Sequence, residues 1–401
     1  MTDAVLRLNP KADRRLRGGH LWVYSNEVDT RKTPLKQYQP GQVVRVENAQ
    51  GKALGAAMVN PNQLICARLF SRDGKGQLNA KLIRRRLEAA LTLRQQVFKK
   101  PYYRLMYGDS DGLPGLVVDR FNDTLVVQVS TAGIEQVLDM VVEQLIQLMS
   151  PTRLVIKNDG KMRAQEGLES YVQVHLGELE GDGLVYLEEN GTRFEAPVLS
   201  GQKTGWFYDH RFNRSRAASY CQGKRVLDVC SYVGGWGIQA ATAGAKEVVC
   251  LDTSEKALGW VGHNALLNQV EDRVQTLHGD AFNAMKSLVE AKEKFDVVII
   301  DPPAFIPKRK DMKEGELAYS RLNQLALRLM SNTGVLVSAS CSMHLGRDRL
   351  TDLVRASGRK IDRQVQILEQ GWQAPDHPVH PSIPETEYIK SLIALVSKTE
   401  F

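Results

Sequence analysis

Asp228-Val-Cys-Ser-Tyr-Val-Gly-Gly-Trp-Gly237 carries an acidic residue at the end of an apolar run, followed by Gly234, Gly235 and Gly237. Glycines in that place let the backbone turn tightly and let a ligand approach the main chain. The spacing departs from G-x-G-x-x-G, and Tyr232 and Trp236 are bulky, so a dinucleotide pyrophosphate site is the weaker reading. A plain strand-to-helix turn would look the same. Three further acids follow in order. Asp252 closes VVCLD, where a carboxylate can accept hydrogen bonds from both ribose hydroxyls. Asp280 closes LHGD, placed to meet an adenine amino group, and Asp301 closes FDVVIID and opens Asp301-Pro-Pro-Ala-Phe305. Any one of them alone reads as a helix N-cap. All of them at the ends of successive strands point to one crevice at the carboxyl edge of a sheet. Cys341, in Val335-Leu-Val-Ser-Ala-Ser-Cys-Ser-Met-His344, reaches the same edge. A strand cysteine is ordinarily a small buried hydrophobe. The polar neighbours Ser340, Ser342 and His344 put this one past the apolar run, where a thiolate could act as a nucleophile.

The elements that must position these residues are strands alternating with helices. Apolar runs at Arg225–Val229, Glu247–Asp252, Val274–Leu277, Phe295–Asp301 and Gly334–Ala339 read as strands. Helical patterns lie between them at Gly237–Ala243, Glu255–Asn268, Ala281–Ala291 and Glu316–Met330. Near-continuous apolar strands predict a parallel sheet covered on both faces, so the fold class from residue 188 onward is α/β, a Rossmann-like doubly wound sheet. Residues 1–75 read instead as short strands (Leu21–Tyr24, Gln42–Glu47, Leu54–Val59, Leu64–Phe70) punctuated by Gly and Pro, a small β-barrel-like module. A basic helix over Leu78–Phe98 opens a central segment, 76–187. There, strands at Leu116–Asp119, Thr124–Ser130, Leu154–Asn158 and Tyr171–His175 surround a helix at Glu135–Met149, which predicts a small α+β domain.

Composition narrows the class. With 401 residues, 43% apolar and 25% charged, collagen-like, disordered and membrane-spanning classes are excluded. The opening MTDAVLRLNPKADRRLRGG has no apolar h-region, which predicts no secretory signal. Five scattered cysteines without metal-ligand spacing predict reduced thiols, a cytoplasmic location and no metal. The net charge of +7 hides an asymmetry: residues 1–104 hold 21 basic and 7 acidic residues, leaving −7 on the remainder. A concentrated positive region attracts phosphate backbones, although a solvated basic face is the plain alternative, and the Arg84-Arg85-Arg86 run alone decides nothing.

Together the successive acidic motifs resemble those of S-adenosylmethionine-dependent methyltransferases. More narrowly the whole chain resembles the bacterial ribosomal RNA large subunit methyltransferase I family. Gly108-Asp-Ser-Asp-Gly-Leu-Pro-Gly-Leu116, Lys203-Thr-Gly-Trp-Phe-Tyr-Asp-His-Arg211 and Asp376-His-Pro-Val379 carry that narrower resemblance. It implies an N-terminal PUA domain, a central α+β domain, a catalytic Rossmann-like domain, S-adenosyl-L-methionine as cofactor and 23S ribosomal RNA as partner. It implies methylation of a cytosine at carbon 5, with Cys341 adding to carbon 6 and Asp301 contacting the base at N3. Cofactor contacts are expected from Asp228, Tyr232, Gly234, Gly235, Asp252 and Asp280, with Lys203, Asp209 and Arg211 bordering it. Many RNA cytosine-C5 methyltransferases have a second cysteine in the DPP turn; Ala304 and Phe305 stand there, which implies a single-cysteine mechanism. Cys230 reads as packing within the cofactor loop, and Cys66, Cys221 and Cys250 as inert core. No membrane is expected, and a homodimer is allowed for. Two alternatives stay open at this point: an amine-directed RNA methyltransferase using the DPPAF turn, and a non-catalytic RNA-binding assembly factor.

Overall fold

Val226–Val229 and Val297–Ile300 are too apolar to leave either face of their strands in water. In the computed structural model, which describes residues 4–398, both lie in the middle of one sheet. The chain forms two compact units. One is Met1–Tyr186 with Ala196–Tyr208 and Pro375–Thr386; the other is Leu187–Glu195 with Asp209–Ala374 and Glu387–Phe401. The outermost residues of the expected spans 1–75 and 188–401 lie outside the described residues.

The second unit carries the site. Its strands are β1 (Arg225–Val229), β2 (Glu247–Asp252), β3 (Val274–His278), β4 (Phe295–Ile300), β5 (Met330–Ser340), β6 (Arg363–Gly371) and β7 (Lys390–Lys398). They lie in the order β3-β2-β1-β4-β5-β7-β6, parallel except that β7 runs antiparallel to both neighbours. The helices are α1 (Arg211–Ala218), α2 (Gly235–Thr242), α3 (Glu255–Leu267), α4 (Ala281–Glu290), α5 (Met312–Leu329) and α6 (Arg347–Arg359). Strand order reverses between β1 and β4, and at such a switch point the loops diverge and leave a crevice at the carboxyl ends. Leu227, Val229, Val298, Ile300, Tyr319 and Leu336 pack in the core beneath it.

In the first unit, strands Val5–Arg7, Trp22–Tyr24, Val43–Glu47, Ala53–Val59 and Ile65–Ser71 make a five-stranded sheet over Leu6, Val23, Val44 and Leu69. A second five-stranded sheet is built from Tyr102–Tyr107, Leu116–Phe121, Thr124–Val129, Arg153–Asn158 and Tyr171–Leu176. Helices Ala80–Val97 and Leu138–Met149 place Ile83, Leu87 and Val141 in its core, joined by Met58 and Phe70 from the first sheet.

Several elements differ from the sequence reading. Tyr102–Tyr107 is a strand that the pattern hides, because Arg104 is buried in it, paired with Asp119 through two 2.8 Å hydrogen bonds. The expected helix Glu135–Met149 is two helices, Ala132–Glu135 and Leu138–Met149. The strand expected at Gly334–Ala339 is longer, Met330–Ser340, and Cys341 is the first residue beyond it. Helices α1 and α6 and strands β6 and β7 have no counterpart in the sequence pattern. Among the described residues no helix is long and apolar enough to cross a membrane, and no cluster of His, Cys, Asp or Glu is arranged to hold a metal ion.

Candidate active site

The turn after β1 is built under strong local constraint. Cys230, Tyr232 and Gly234 all take left-handed backbone conformations, at φ 65°, 50° and 86°. Side chains other than glycine adopt that region uncommonly, so the surroundings must impose it at Cys230 and Tyr232. The end of β2 does so. The amides of Cys230 and Ser231 donate to the Leu251 carbonyl at 2.8 and 3.1 Å, and the Tyr232 amide donates to Asp252 Oδ2 at 2.9 Å. Asp252 Oδ1 accepts from the Ser254 amide, also at 2.9 Å, so the half-buried carboxylate is fixed at the lip of the crevice.

Asp228 lies deeper. Its side chain is fully buried, and Oδ2 accepts the Gly237 amide at 2.8 Å while Oδ1 has no hydrogen-bond partner. Burial, helped by the nearby Asp301 and Asp252, pushes this carboxyl up to about 7, against the pull of the Gly237 amide. Gly237 has no room for a side chain: a Cβ there would stand 2.5 Å from Cys250 Sγ and 3.0 Å from Asp228 Oδ2. Asp280 caps α4, accepting the Asn283 amide at 3.0 Å, and is otherwise exposed.

Asp301, just past β4, is gripped from two sides. Trp236 Nε1 donates to Oδ2 at 2.9 Å, and His210 Nε2 lies 3.5 Å from Oδ1. The His210 and Trp236 rings themselves meet at 5.2 Å. Cys341 emerges from the adjacent strand β5, half-buried, with Sγ 3.8 Å from the Pro302 carbonyl. The thiol therefore abuts the turn that Asp301 opens. A web beneath holds its neighbours: Ser340 Oγ donates to Tyr319 Oη at 2.8 Å, and Ser342 Oγ lies 2.9 Å from the same hydroxyl.

The other cysteines are poor nucleophiles. Burial pushes the Cys66 and Cys221 thiols up to about 12, and Cys250 well above its ordinary value. Cys230 is also raised strongly, by burial first and then by Asp252, Asp301, Asp228 and Asp280.

The second unit thus brings together Asp228, Tyr232, Gly234, Gly235, Asp252, Asp280, Asp301 and Cys341 at the carboxyl ends of β1 to β5. Asp209 is in the same unit but buried, accepting the Tyr388 hydroxyl at 2.6 Å. Arg211 is buried there too, 3.6 Å from Glu189, a carboxylate that also takes two hydrogen bonds from Arg214. Lys203 belongs to the first unit, exposed, with its ammonium 4.7 Å from the Phe207 ring centroid. Sequence reasoning missed His210, Trp236 as a partner of Asp301, and Lys390, whose Nζ donates to the Ser342 carbonyl at 2.7 Å. The one signal for the last is a lone lysine heading the apolar run Ser391–Val396.

Residues 6–72 match the model of a PUA-like domain, and residues 169–382 match that of an S-adenosylmethionine-dependent methyltransferase. The chain is 32% identical to ribosomal RNA large subunit methyltransferase I of Shewanella frigidimarina, over 98% of its own length and 99% of that protein. It is 33% identical to the protein of the same name from Cronobacter sakazakii, over 92% and 94% of the two chains. A candidate SAM-dependent methyltransferase from Streptococcus mutans shares the fold, at a TM-score of 0.82 and 19% identity over 98% and 100%. So does a candidate methyltransferase solved in complex with SAH, at a TM-score of 0.83 and 19% identity over the same shares.

Proposed function

The chain belongs to the ribosomal RNA large subunit methyltransferase I family of S-adenosylmethionine-dependent methyltransferases, and on that premise we propose that it methylates carbon 5 of a cytosine in 23S ribosomal RNA. One observation carries the chemical part of the reading: the Cys341 thiol sits against the Asp301-Pro302-Pro303 turn, 3.8 Å from the Pro302 carbonyl. A nucleophile and a base-orienting carboxylate are what carbon-5 methylation needs side by side, because carbon 5 of cytosine is too weak a nucleophile unaided.

The residues around the Gly-rich turn fit S-adenosylmethionine. The fixed Asp252 carboxylate offers acceptors to a ribose, Gly234 supplies the left-handed turn that leads through Gly235 into α2, and Asp280, exposed at the start of α4, offers an acceptor to an adenine amino group. Asp228, with one buried oxygen lacking a partner, supports the turn from below. Tyr232 lines the turn, and Lys203, Asp209 and Arg211 are assigned to its border by resemblance alone.

In this reading the Cys341 thiolate adds to carbon 6, forming an S–C bond and moving the C5–C6 electron pair onto carbon 5. S-adenosylmethionine, when bound, supplies the electrophilic sulfonium methyl that carbon 5 takes. Loss of the carbon-5 proton to a base then restores the C5–C6 bond and expels the thiolate. Asp301, held by Trp236 and His210, orients the ring at N3 through a proton, taken from solvent, that the carboxyl group and the nitrogen share. The target base must leave its stack, at a cost of a few kcal/mol in duplex and less in a loop. Phosphate contacts from the basic residues of 1–75 and 76–187 offset that cost, while 188–401 carries the chemistry. Mass spectrometry of nucleosides from RNA methylated in vitro tests the reading. It predicts 5-methylcytosine; a methyl on an exocyclic nitrogen would overturn it in favour of an amine-directed enzyme.

A further inference from the structure

Lys390 is only 4% exposed, yet the described residues place no carboxylate within ion-pair distance of it. It opens β7 and pairs in register with Ser340, the residue before Cys341. Its Nζ reaches across to donate to the carbonyl of Ser342, the residue after Cys341, at 2.7 Å. The cysteine is thus bracketed: one flank is tied to the Lys390 main chain and the other to its side chain. A buried ammonium held by a neutral carbonyl alone is costly, and such groups ordinarily have an anion to answer them. The groups facing it are Cys341 itself, Glu387 on the approach to β7, and Arg347 at the start of α6. Tyr319 of α5 contacts the same Ser342, through its Oγ rather than its carbonyl.

We propose that Lys390 is a positioning residue for the reaction: its buried ammonium is the counter-charge of the Cys341 thiolate and holds the Ser340–Ser342 bend in place. The inference rests on Cys341 being the nucleophile, and it names what makes that thiol reactive. The thiol S–H bond breaks and its proton goes to solvent, while Lys390 keeps its own three protons. Thiolate addition to carbon 6 removes the negative charge from beside Lys390, and elimination returns it. The ammonium therefore raises the share of thiolate available to attack and stabilises it again as the leaving group. Burial holds the Lys390 pKa down to about 8 while the cysteine opposes that shift, the reciprocal pull expected of such a pair. Glu387 acts in the same direction as the cysteine, and Arg347 against it.

The test is the pH dependence of Cys341 alkylation by iodoacetamide in the full chain without RNA, read by peptide mass spectrometry for wild type, Lys390→Met and Lys390→Arg. An ordinary thiol titrates near about 8.5. Wild type is expected to show a midpoint at least one pH unit lower, and Lys390→Met a midpoint at least one unit above wild type, roughly tenfold slower alkylation at pH 7. Lys390→Arg keeps the charge and should stay within half a unit of wild type. The proposal is overturned by a wild-type midpoint at or above that of an ordinary thiol, a reading that needs no variant to fold. It is overturned equally by a folded Lys390→Met with the wild-type midpoint, or by Lys390→Arg shifted as far as Lys390→Met. Covalent trapping on a 5-fluorocytosine RNA keeps the two readings apart. A missing trap alongside the expected midpoints removes the nucleophile assignment and leaves the charge pairing supported.

Discussion

Replacing Trp236 with Phe probes the link between the Gly-rich turn and the Asp301 carboxylate. Trp236 is 4% exposed and a Phe ring fills most of its space, so the principal loss is the 2.9 Å hydrogen bond from Nε1 to Asp301. A hydrogen bond to a charged acceptor contributes about 1.5–3 kcal/mol. The Asp301 side chain is 20% exposed, so water can answer the vacated oxygen and the lower end applies. His210 still approaches the other oxygen at 3.5 Å, which leaves the carboxylate in place but freer to rotate. At about 1.5 kcal/mol, kcat/KM for RNA should fall roughly tenfold. Cofactor affinity measured by calorimetry should move less than about threefold, because the turn itself is latched through Leu251 and Asp252. A double-mutant cycle assigns the effect: in an Asp301→Ala background the Trp236→Phe change should cost almost nothing further. An equal loss in both backgrounds, or a loss confined to cofactor affinity, would refute the reasoning and make Trp236 a support of the cofactor loop alone.

Two other perturbations have definite signs. Asp228 has its carboxyl pKa raised on folding, so the stability it contributes is full below the unfolded value and is lost as pH rises through about 7. Between pH 5 and 8.5 that loss is on the order of 3 kcal/mol. Asp228→Asn should therefore raise Tm relative to wild type more at pH 8.5 than at pH 5; an equal Tm gap at both pH values would contradict the burial argument. Lys81 and Arg85 are exposed on the Ala80–Val97 helix. Changing both to Ala should flatten the dependence of log RNA affinity on log salt by roughly 0.7–0.9 for each phosphate no longer neutralised, without altering cofactor affinity. An unchanged salt slope would remove that helix from the RNA-binding surface.

The parallel strands β1, β2 and β4 were legible because their cover on both faces demands near-continuous apolar runs, and the acids at or near their ends came with them. Strand β6 was not: RQVQILEQG is an edge strand with one wet face, and its apolar residues are too sparse to stand out. Tyr102–Tyr107 was hidden by Arg104, whose charge is answered by Asp119 fifteen residues away, a pairing that no local pattern reveals. The same limit governs the site. Asp252, Asp301 and Cys341 could be read from strand ends. The partners that tune them come from distant sequence: Trp236 is 65 residues from Asp301, and Lys390 is 48 residues from Ser342. A cysteine among serines signals a polar strand end; it does not signal the buried lysine beneath.

Covalent capture on RNA carrying 5-fluorocytosine at the target position tests the central claim most directly. Fluorine at carbon 5 blocks the proton loss that frees the enzyme, so the methylated adduct persists and can be read by mass spectrometry. Wild type should be trapped. Cys341→Ala should give neither adduct nor methylation while keeping its affinity for S-adenosylhomocysteine, since the thiol acts on the base. Cys230→Ala should still be trapped, as expected for a thiol that burial and four nearby carboxylates keep protonated. A trap that survives Cys341→Ala and vanishes in Cys230→Ala, or methylation of cytosine by Cys341→Ala, would contradict the account.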